Sequence, residues 1–383
     1  MIWNHHENPR AAASTPLVSV VIPVFNVERY LAECLDSVLG QTLENIEIIC
    51  VDDGSSDASL QILEEYKQRD VRVTVVSQPN HGQSAARNRG LDLARGQYLY
   101  FLDSDDTIAV HALHELYACA QRDELDLIQF DTESSFESEE LRIRHPYMGF
   151  RPRTGHYPSV WTGAELFAAM IYNNDYRISV CINFIRTALL REARLRFIEG
   201  TIYEDNSFVF MLMLHANRVR YIKKTYYHYR IRPNSTITSP VGVKNLRGYL
   251  TNCAAMLVFV QSRSLSPKVA DAAHQRIAVM HRHAANIYRH LLQEQKELIS
   301  FRPGSMEAAL YAMIKEQDRW NLARAEISDN EHQKRLEQEQ ARFSALTAEL
   351  ELLRKSNALR IGRAFTAIPR KLRSLVLHRE QHS

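Results

Sequence analysis

Two carboxylates stand one residue apart at Asp103 and Asp105, directly after the apolar stretch Tyr98–Leu102. In an extended chain, side chains at positions i and i+2 project to the same side. Carboxylate oxygens are the ligands that hard divalent cations prefer, and such a cation neutralises a diphosphate. The pair therefore predicts a site for Mg²⁺ or Mn²⁺ that handles phosphate. The alternative is an acidic turn that caps the next helix, with Asp106 as its N-cap residue.

Four β-type stretches supply the elements that can position these acids. They begin near residues 18, 46, 71 and 98, and each of the last three follows a stretch with apolar residues at helical spacing. This alternation predicts an α/β fold with a mostly parallel sheet flanked by helices. Ligands of such sheets bind beyond the carboxyl ends of the strands. The polar segments at those ends are 23–28, 52–57, 78–82 and 103–106.

Glycine-rich phosphate-binding motifs are absent from these strand ends. Neither Gly-x-Gly-x-x-Gly nor Gly-x-x-x-x-Gly-Lys-Ser/Thr occurs there. Both motifs bind phosphate through backbone amides, so their absence argues against a dinucleotide-binding fold or a P-loop. The sequence instead indicates that a metal ion, and not a glycine-rich loop, neutralises the phosphate groups.

Four segments at the strand ends carry a family resemblance, because they occur in a consistent order and spacing. They are Val18–Asn26, Val51–Asp57, Asn80–Asn88 and Tyr98–Asp106, and weaker similarity resumes at Gly200–Asn206 and Tyr226–Arg232. These segments resemble the inverting, nucleotide-sugar-dependent glycosyltransferases of family 2, which have the Rossmann-like GT-A fold. The resemblance implies a UDP-sugar donor and bacterial surface-polysaccharide synthesis.

The resemblance implies a donor site at the ends of the first strands. Phe25 would stack on the nucleobase, with Pro23 and Val24 lining it by main chain, and Asp53 would accept a hydrogen bond from the base. An aromatic face beside a carboxylate suits uracil. The other residues implied in donor binding are Glu28, Asp52, Arg87, Asn88, Asp103 and Ser104.

Each donor-site residue also has a purely structural interpretation. Phe25 is then a core residue, and Asp52 and Asp53 cap the helix that follows them. Glu28 is then an acid in the first turn of a helix, where the dipole favours negative charge. Arg87 is then part of a solvated helix face.

A catalytic base must lie opposite the leaving diphosphate in a direct displacement, so it must come from the acceptor half. Glu204 and Asp205 precede the apolar helical run Phe208–Leu214. A carboxylate at a helix N-terminus stays ionised and ready to accept a proton. The resemblance favours Asp205 as the base and Glu204 as its neighbour, and helix capping is the alternative for one of them.

The metal site is expected to use Asp105 as a direct ligand, with Asp103 beside it. The resemblance brings in His228 as a further candidate ligand, although an aromatic-rich edge strand is the alternative interpretation of its segment. Arg230 and Arg232 alternate on that strand and are expected to pair with phosphate.

Pattern, composition and the resemblance together predict five parts. Pattern and composition indicate a flexible tail (1–16), a helical extension (241–325), and a coiled-coil-like helix with a basic amphipathic tail (326–383). The resemblance implies the nucleotide-sugar-binding half (17–110) and the acceptor half (111–240) of a GT-A domain. Within the acceptor half, sugar stacking would suit Trp161, Tyr172, Tyr176 or Tyr203, but core packing fits each of them equally well.

The last part combines two amphipathic patterns. Residues 336–357 repeat apolar positions by three and four, which predicts either a coiled coil that joins copies of the chain or a helix packed on the body. Residues 358–375 form a basic amphipathic pattern, interrupted at Pro369, that suits anionic lipid. Both a homo-oligomer and a membrane contact are therefore expected.

The whole chain fits one functional hypothesis. Its 383 residues carry a net charge of only +2, which argues against a nucleic-acid partner. We predict a cytoplasmic enzyme, peripheral on the inner face of the cell membrane, that transfers a sugar from a UDP-sugar to a glycan or lipid-linked saccharide. The alternatives are a nucleotidyltransferase and a catalytically silent glycan-binding scaffold.

Overall fold

The computed structural model describes residues 15–144, 149, 153–233, 235–325, 341–342 and 344–345. The chain divides into two units that are each assembled from separated segments. The first unit contains the described residues up to Thr162 together with Ser179–Glu199 and His215–Pro233. The second unit contains Gly163–Ile178, Gly200–Leu214 and the described residues that follow 233.

Eight strands of the described part form one sheet in the first unit, in the order β3-β2-β1-β4-β7-β6-β8-β5. The first four in this order pair in parallel, and β7 is antiparallel to both of its neighbours. The predicted α/β class with a mostly parallel sheet is confirmed. The strands are β1 (Val18–Val24), β2 (Ile46–Asp52), β3 (Val73–Ser77), β4 (Tyr98–Phe101), β5 (Thr107–Ile108), β6 (Leu127–Phe136), β7 (Asn183–Arg186) and β8 (Val219–Ile231).

Twelve α-helices complete the described part of the chain, with a short 3₁₀ helix at Val180–Ile182. The helices are α1 (Leu31–Leu39), α2 (Ser59–Arg69), α3 (Gln83–Leu93), α4 (Ala112–Arg122), α5 (Glu139–Arg144), α6 (Gly163–Tyr172), α7 (Thr187–Glu192), α8 (Asp205–His215), α9 (Val243–Gln261), α10 (Pro267–His290), α11 (Gln293–Glu297) and α12 (Met306–Ala325).

The core of the first unit lies around its central strands. Every residue of β1, β2 and β4 is buried, which explains why these strands read as continuous apolar runs. Helix α3 lies directly on β1 because Gly90 faces Val21, where a Cβ atom would collide with the valine side chain. Close packing of this helix fixes the start of α3, and with it the polar residues beyond the strand ends.

The second unit is helical in its described part. Helix α10 packs against α6, α9 and α12. Its apolar residues, such as Val269, Ile277 and Met280, recur on one buried face, as expected for an amphipathic helix. Each helix in the described residues is too short or too polar to span a bilayer.

Two sequence predictions concern parts of the chain outside the described residues. The tail 1–16 is described only from Thr15 onward, and the segment 326–383 only at 341–342 and 344–345. The predicted coiled coil at 336–357 and the basic amphipathic pattern at 358–375 therefore stay predictions.

Candidate active site at the strand ends

Phe25 follows β1 and exposes 44% of its surface, so its interpretation as a core residue is wrong. Pro23 and Val24 before it are buried, and the carbonyl of Val24 accepts a hydrogen bond from the Asp53 amide at 2.8 Å. Asn26 after it adopts a left-handed conformation with φ 50°. The ring is therefore presented at the edge of the sheet by a fixed turn, where a planar ligand can stack on it.

Glu28 connects the loop after β1 to the loop after β2. Its amide donates to Asp57 Oδ2 at 3.1 Å, and its Oε2 accepts the amide of Ala58 at 2.8 Å. Helix α1 begins only at Leu31, so the interpretation of Glu28 as a first-turn acid is wrong. Glu28 instead satisfies an amide at the start of α2, and its place in the donor site stays a prediction.

Asp53 is 3% exposed and binds the loop that leads into α3. Its Oδ1 accepts from the Gln78 side chain and the His81 amide, both at 2.9 Å, and its Oδ2 accepts the Gly82 amide at 2.7 Å. Gly82 is the N-cap residue of α3, so Asp53 does not cap α2, the helix that follows it in sequence. A carboxylate has about four acceptor sites, which leaves one for a ligand.

Asp52 holds the adjoining turn. Its Oδ1 accepts the Ser55 amide at 3.1 Å and its Oδ2 accepts the Ser77 hydroxyl at 2.9 Å. Gly54 has φ 74°, and a Cβ there would lie 3.0 Å from the Asn80 amide nitrogen. Asp52 is fully buried, and its bond to Ser77 joins the ends of β2 and β3.

Asp103 receives two side chains from α3. Its Oδ1 accepts from Arg87 Nη2 at 2.7 Å and from Gln83 Nε2 at 3.0 Å. The Arg87 side chain is only 2% exposed, so its interpretation as a solvated helix residue is wrong. Gln83 is not among the predicted site residues, although it stands in the same motif segment, four residues before Arg87 on one helix face.

The Asn88 side chain forms hydrogen bonds within the first unit, to the Phe197 backbone and to Glu199. Its side chain donates to the Phe197 carbonyl at 3.0 Å and to Glu199 Oε1 at 2.9 Å, and its Oδ1 accepts the Phe197 amide at 2.9 Å. These bonds position the segment that carries Phe197, whose ring lies 5.2 Å from the Arg87 guanidinium. Asn88 therefore orients neighbours of the site.

Asp105 is paired with two arginines of β8 and its extension. Arg232 Nε donates to Asp105 Oδ2 at 2.7 Å, and Arg230 Nε donates to the Asp105 carbonyl at 3.0 Å. Burial raises the pKa of Asp105 above its ordinary value, Arg232 opposes that shift, and the charge of Asp103 adds to it. Arg230 and Arg232, which are predicted to pair with phosphate, thus bind Asp105 in the acidic turn at residues 103–106.

Asp106 does not cap a helix, and its prediction as an N-cap residue is wrong. Its carboxylate accepts from the Tyr227 hydroxyl and, at 2.6 Å, from the Arg230 amide. Helix α4 begins only at Ala112. Burial and the charges of Asp105 and Asp103 raise the pKa of Asp106 well above its ordinary value. Asp106 therefore fixes β8 to the acidic turn.

The remaining metal-site candidates occupy different positions. Ser104 is 6% exposed between the two acids. His228 pairs with Thr107 across β5 and β8, and its Nδ1 lies 2.6 Å from Glu133 Oε1. Glu133 is thus the carboxylate partner of His228, and metal ligation by His228 stays a prediction.

Asp103 and Asp105 are the side chains of the acidic turn that suit a divalent cation. No group of three or more His, Cys, Asp or Glu side chains in the described ranges is arranged as a metal site. Magnesium commonly takes only one or two protein carboxylates and fills its shell with water and substrate phosphates. Asp103 and Asp105 match that requirement in number and in ligand type.

Glu204 and Asp205 belong to the second unit. Helix α8 begins at Asp205, which confirms that the pair lies at a helix N-terminus. Glu204 is 6% exposed, and its carbonyl accepts the Phe208 amide at 3.1 Å. The amide of Asn206 donates to the Tyr203 carbonyl at 3.0 Å, so a tight turn brings the chain into the helix. The role of either acid as a base stays a prediction.

The parallel strands, with an acidic turn after β4, define a GT-A fold. The crystal structure of Staphylococcus aureus TarS 1–349 in complex with UDP-GlcNAc is similar to this chain with a TM-score of 0.59 and 24% identity, over 79% of this chain and 80% of that one. Residues 19–181 match glycosyl transferase family 2. The matched residues include the strand-end motifs on which the predicted resemblance to this family rests.

Two curated relatives show where the sequence similarity lies. The chain is 36% identical to the uncharacterized glycosyltransferase EpsJ of Bacillus subtilis, over 59% of this chain and 64% of the relative. It is 43% identical to the poly(ribitol-phosphate) beta-glucosyltransferase of Bacillus spizizenii, over 29% of this chain and 18% of the relative. The chain thus spans less than two thirds of the length of these relatives.

Proposed function

We propose that this protein transfers a sugar from a UDP-sugar to a hydroxyl of a glycan or lipid-linked saccharide, with inversion and with assistance from a metal. The observation that carries the proposal is the convergence, at the carboxyl ends of β1, β2 and β4, of an exposed aromatic ring with buried carboxylates. Phe25, Asp53, Asp103 and Asp105 are the central residues. Ligands of parallel α/β sheets bind at this edge.

The donor is assigned to these strand ends. Phe25 offers a stacking face, and Asp53 keeps acceptor capacity for a ring N–H of uracil. TarS, which shares the fold, binds UDP and UDP-GlcNAc according to its structures, and this supports uracil as the base. Arg87, Arg230 and Arg232 place three positive charges around the acidic turn, where a diphosphate needs neutralisation.

Asp103 and Asp105 are the residues that would hold Mg²⁺ or Mn²⁺. A bound cation stabilises the negative charge that develops on the departing diphosphate. Arg87 and Arg232 keep the two carboxylates oriented.

Asp205 is assigned as the general base that accepts the proton of the acceptor hydroxyl. Its place in the first turn of α8 favours the ionised carboxylate. Glu204 is then its neighbour, and its burial suits a supporting role. Retention of these acids beside the strand-end carboxylates argues against a catalytically silent scaffold.

We assign the product to a cell-surface polysaccharide such as a capsule, lipopolysaccharide or exopolysaccharide. The relative that acts on poly(ribitol-phosphate) supports a surface polymer as acceptor. A peripheral location on the inner face of the membrane follows from the basic pattern at 358–375.

The direct test incubates the purified full chain and Mn²⁺ with UDP-sugars and GDP-sugars and follows nucleotide release. We expect release from at least one UDP-sugar, stimulated by saccharide acceptors. Release from GDP-sugars alone would contradict a UDP-sugar as the donor. The absence of release from both panels would contradict the proposed transferase activity.

A further inference from the structure

A groove of about 350 Å³ lies within the second unit. Its volume falls within the range of roughly 300–1,000 Å³ that is typical of small-molecule sites. Three aromatic rings line it, together with amide and imidazole groups. The residues used below are Tyr203, Tyr249, His283, Asn286 and His290.

The three rings form a continuous row. The ring centroids of Tyr203 and Tyr249 are 4.6 Å apart, and those of Tyr249 and His283 are 5.6 Å apart with an interplanar angle of 15°. Asn245 Nδ2 donates to the Tyr203 hydroxyl at 2.7 Å and fixes the first ring. Rigid aromatic faces of this kind provide contact area at little cost in conformational entropy.

The backbone under this row is closely fitted. A Cβ atom at Gly248 would lie 2.8 Å from the carbonyl oxygen of Ile202, so glycine allows α9 to approach the residue before Tyr203. Tyr203 itself has φ 64°, an unfavourable conformation for a bulky residue. Strain of this kind persists where the surroundings hold the residue in place, and it is common at functional sites.

The polar groups of the groove include amides and imidazoles. Partial burial of the ring and the charges of Arg276 and Arg282 lower the pKa of His283, so its ring is neutral near pH 7 and has one donor and one acceptor nitrogen. Nδ1 of His290 donates to the Asn286 carbonyl at 2.7 Å. Hydroxyl groups can pair with both the donor and the acceptor nitrogen of His283.

The lining contains no Asp, Glu, Lys or Arg side chain from the described chain. A nucleotide, a phosphate or a basic peptide would require opposite charge in such a groove, because an unpaired buried charge is costly. A neutral polyhydroxylated ring meets the requirement, since its C–H face packs on aromatic rings and its hydroxyls bond to amide and imidazole.

The groove adjoins the residue that we assign as the base. The Tyr203 carbonyl accepts from both the backbone amide and the side chain of Asn206, at 3.0 and 2.8 Å. Asp205 lies in this same turn at the start of α8. We propose that the groove binds a neutral sugar ring of the acceptor and that α9 and α10 form an acceptor-binding element. This inference rests on the proposed function.

Ligand-observed NMR with a panel of methyl hexosides and methyl N-acetylhexosaminides tests the groove without turnover. We expect saturation transfer to at least one neutral glycoside in the full-length protein, and a tenfold or greater loss of affinity in His283→Ala. His283 is exposed, so its removal leaves the fold intact. Gln275→Ala, an exposed change on the same helix outside the groove, is the matched control and should bind as the unmodified protein does.

Two results overturn the inference: no glycoside of the panel binds, or His283→Ala and Gln275→Ala bind equally well. Calorimetric titration with UDP separates this outcome from failure of the proposed function. UDP binding that persists in His283→Ala while glycoside binding is lost assigns the groove to the acceptor. If the unmodified protein binds glycosides but not UDP, the result contradicts the proposed donor but still supports sugar binding in the groove.

Discussion

Arginine side chains hold the carboxylates of the acidic turn before any ligand is bound. Arg87 and Arg232 each place a nitrogen 2.7 Å from a carboxylate oxygen, on Asp103 and Asp105 respectively. A charge-assisted hydrogen bond of this kind fixes the direction of an acid as well as its charge. The acids are thus preorganised, and a substitution at either one should affect ligand binding more than folding.

Replacing Asp105 by Asn tests the metal assignment. We expect the Asp105→Asn variant to lose about 100-fold or more in turnover, because one of two anionic metal ligands is removed. Its affinity for Mn²⁺, measured by calorimetry in the presence of UDP, should fall in parallel. The melting temperature should change little, since the Asn carbonyl can still accept from Arg232.

Asp70→Asn provides the control, because Asp70 also pairs with an arginine, Arg72 at 2.8 Å, but lies at the end of α2. It should leave both metal affinity and turnover unchanged. Full turnover of the unmodified protein in excess EDTA would contradict the metal assignment altogether.

Replacing Asp205 by Asn tests the base. We expect a loss of at least ~100-fold in kcat, the lower range for removal of a general base, with UDP affinity nearly unchanged. Glu204→Gln should cost less if Asp205 is the base. A near-normal kcat in Asp205→Asn, or a defect confined to UDP binding, would remove Asp205 from this role.

Local rules predicted the positions of these residues better than their partners. The motif segments implied a ring at Phe25 that faces a ligand, and this ring is exposed, but they did not indicate that Arg87 is buried. The error at Asp106 arose because an acid before a helical stretch suggests a cap, whereas its partner Tyr227 stands 121 residues away in sequence. Side-chain spacing cannot identify such long-range partners.

At the scale of elements, periodicity located the first four strands to within two residues at their starts. It does not indicate the length of β8, which runs from Val219 to Ile231 because its second part pairs with β6 beyond a register shift. Polar residues such as Lys223 and Lys224 are exposed there and hide the strand pattern.

The contact between α4 and β8 gives a stability prediction with a defined pH dependence. Hydrogen bonds from Lys224 and then Tyr226 lower the pKa of Glu115 below its ordinary 4.5. A depressed carboxyl pKa contributes stability that is present above the unfolded pKa and lost as pH falls through the folded value. Solvent screening keeps the contribution small, because 36% of the Glu115 side chain is exposed.

Glu115→Gln should therefore lower the free energy of unfolding by about 0.5–1 kcal/mol at pH 7. Urea denaturation at a series of pH values should show the difference shrinking as pH falls below about 4.5. Glu64→Gln, which breaks an exposed pair with Lys67 within one helix, is the control and should cost less. A difference that grows towards low pH would refute the assignment.

At the scale of the whole molecule, the sequence predicted consecutive parts, whereas contacts group the chain into two interleaved units. Segments 163–178 and 200–214 join the later helices in the second unit. Helix patterns show which face is buried but not which helix covers it. The helical extension, for which the sequence offered no motif, lines a groove together with Tyr203, because the rings of residues 203, 249 and 283 meet only in the fold.

At the scale of the whole chain, we predict that the basic residues of 354–383 attach the protein to a membrane. Residues 354–383 contain eight Lys or Arg and one acid, a net charge of +7. Each basic residue near an anionic surface contributes roughly 1 kcal/mol. A chain truncated after Leu353 should therefore no longer co-sediment with vesicles that contain phosphatidylglycerol at physiological salt.

A full-length variant with these eight basic residues changed to Gln separates charge from length. We expect it to behave like the truncated chain, and we expect the unmodified protein to be released by high salt, because screening shortens the reach of each charge. Both variants should retain UDP binding, since the residues of the proposed donor site belong to the first unit. Equal co-sedimentation of the unmodified and charge-neutralised chains would mean that another surface of the protein binds the membrane.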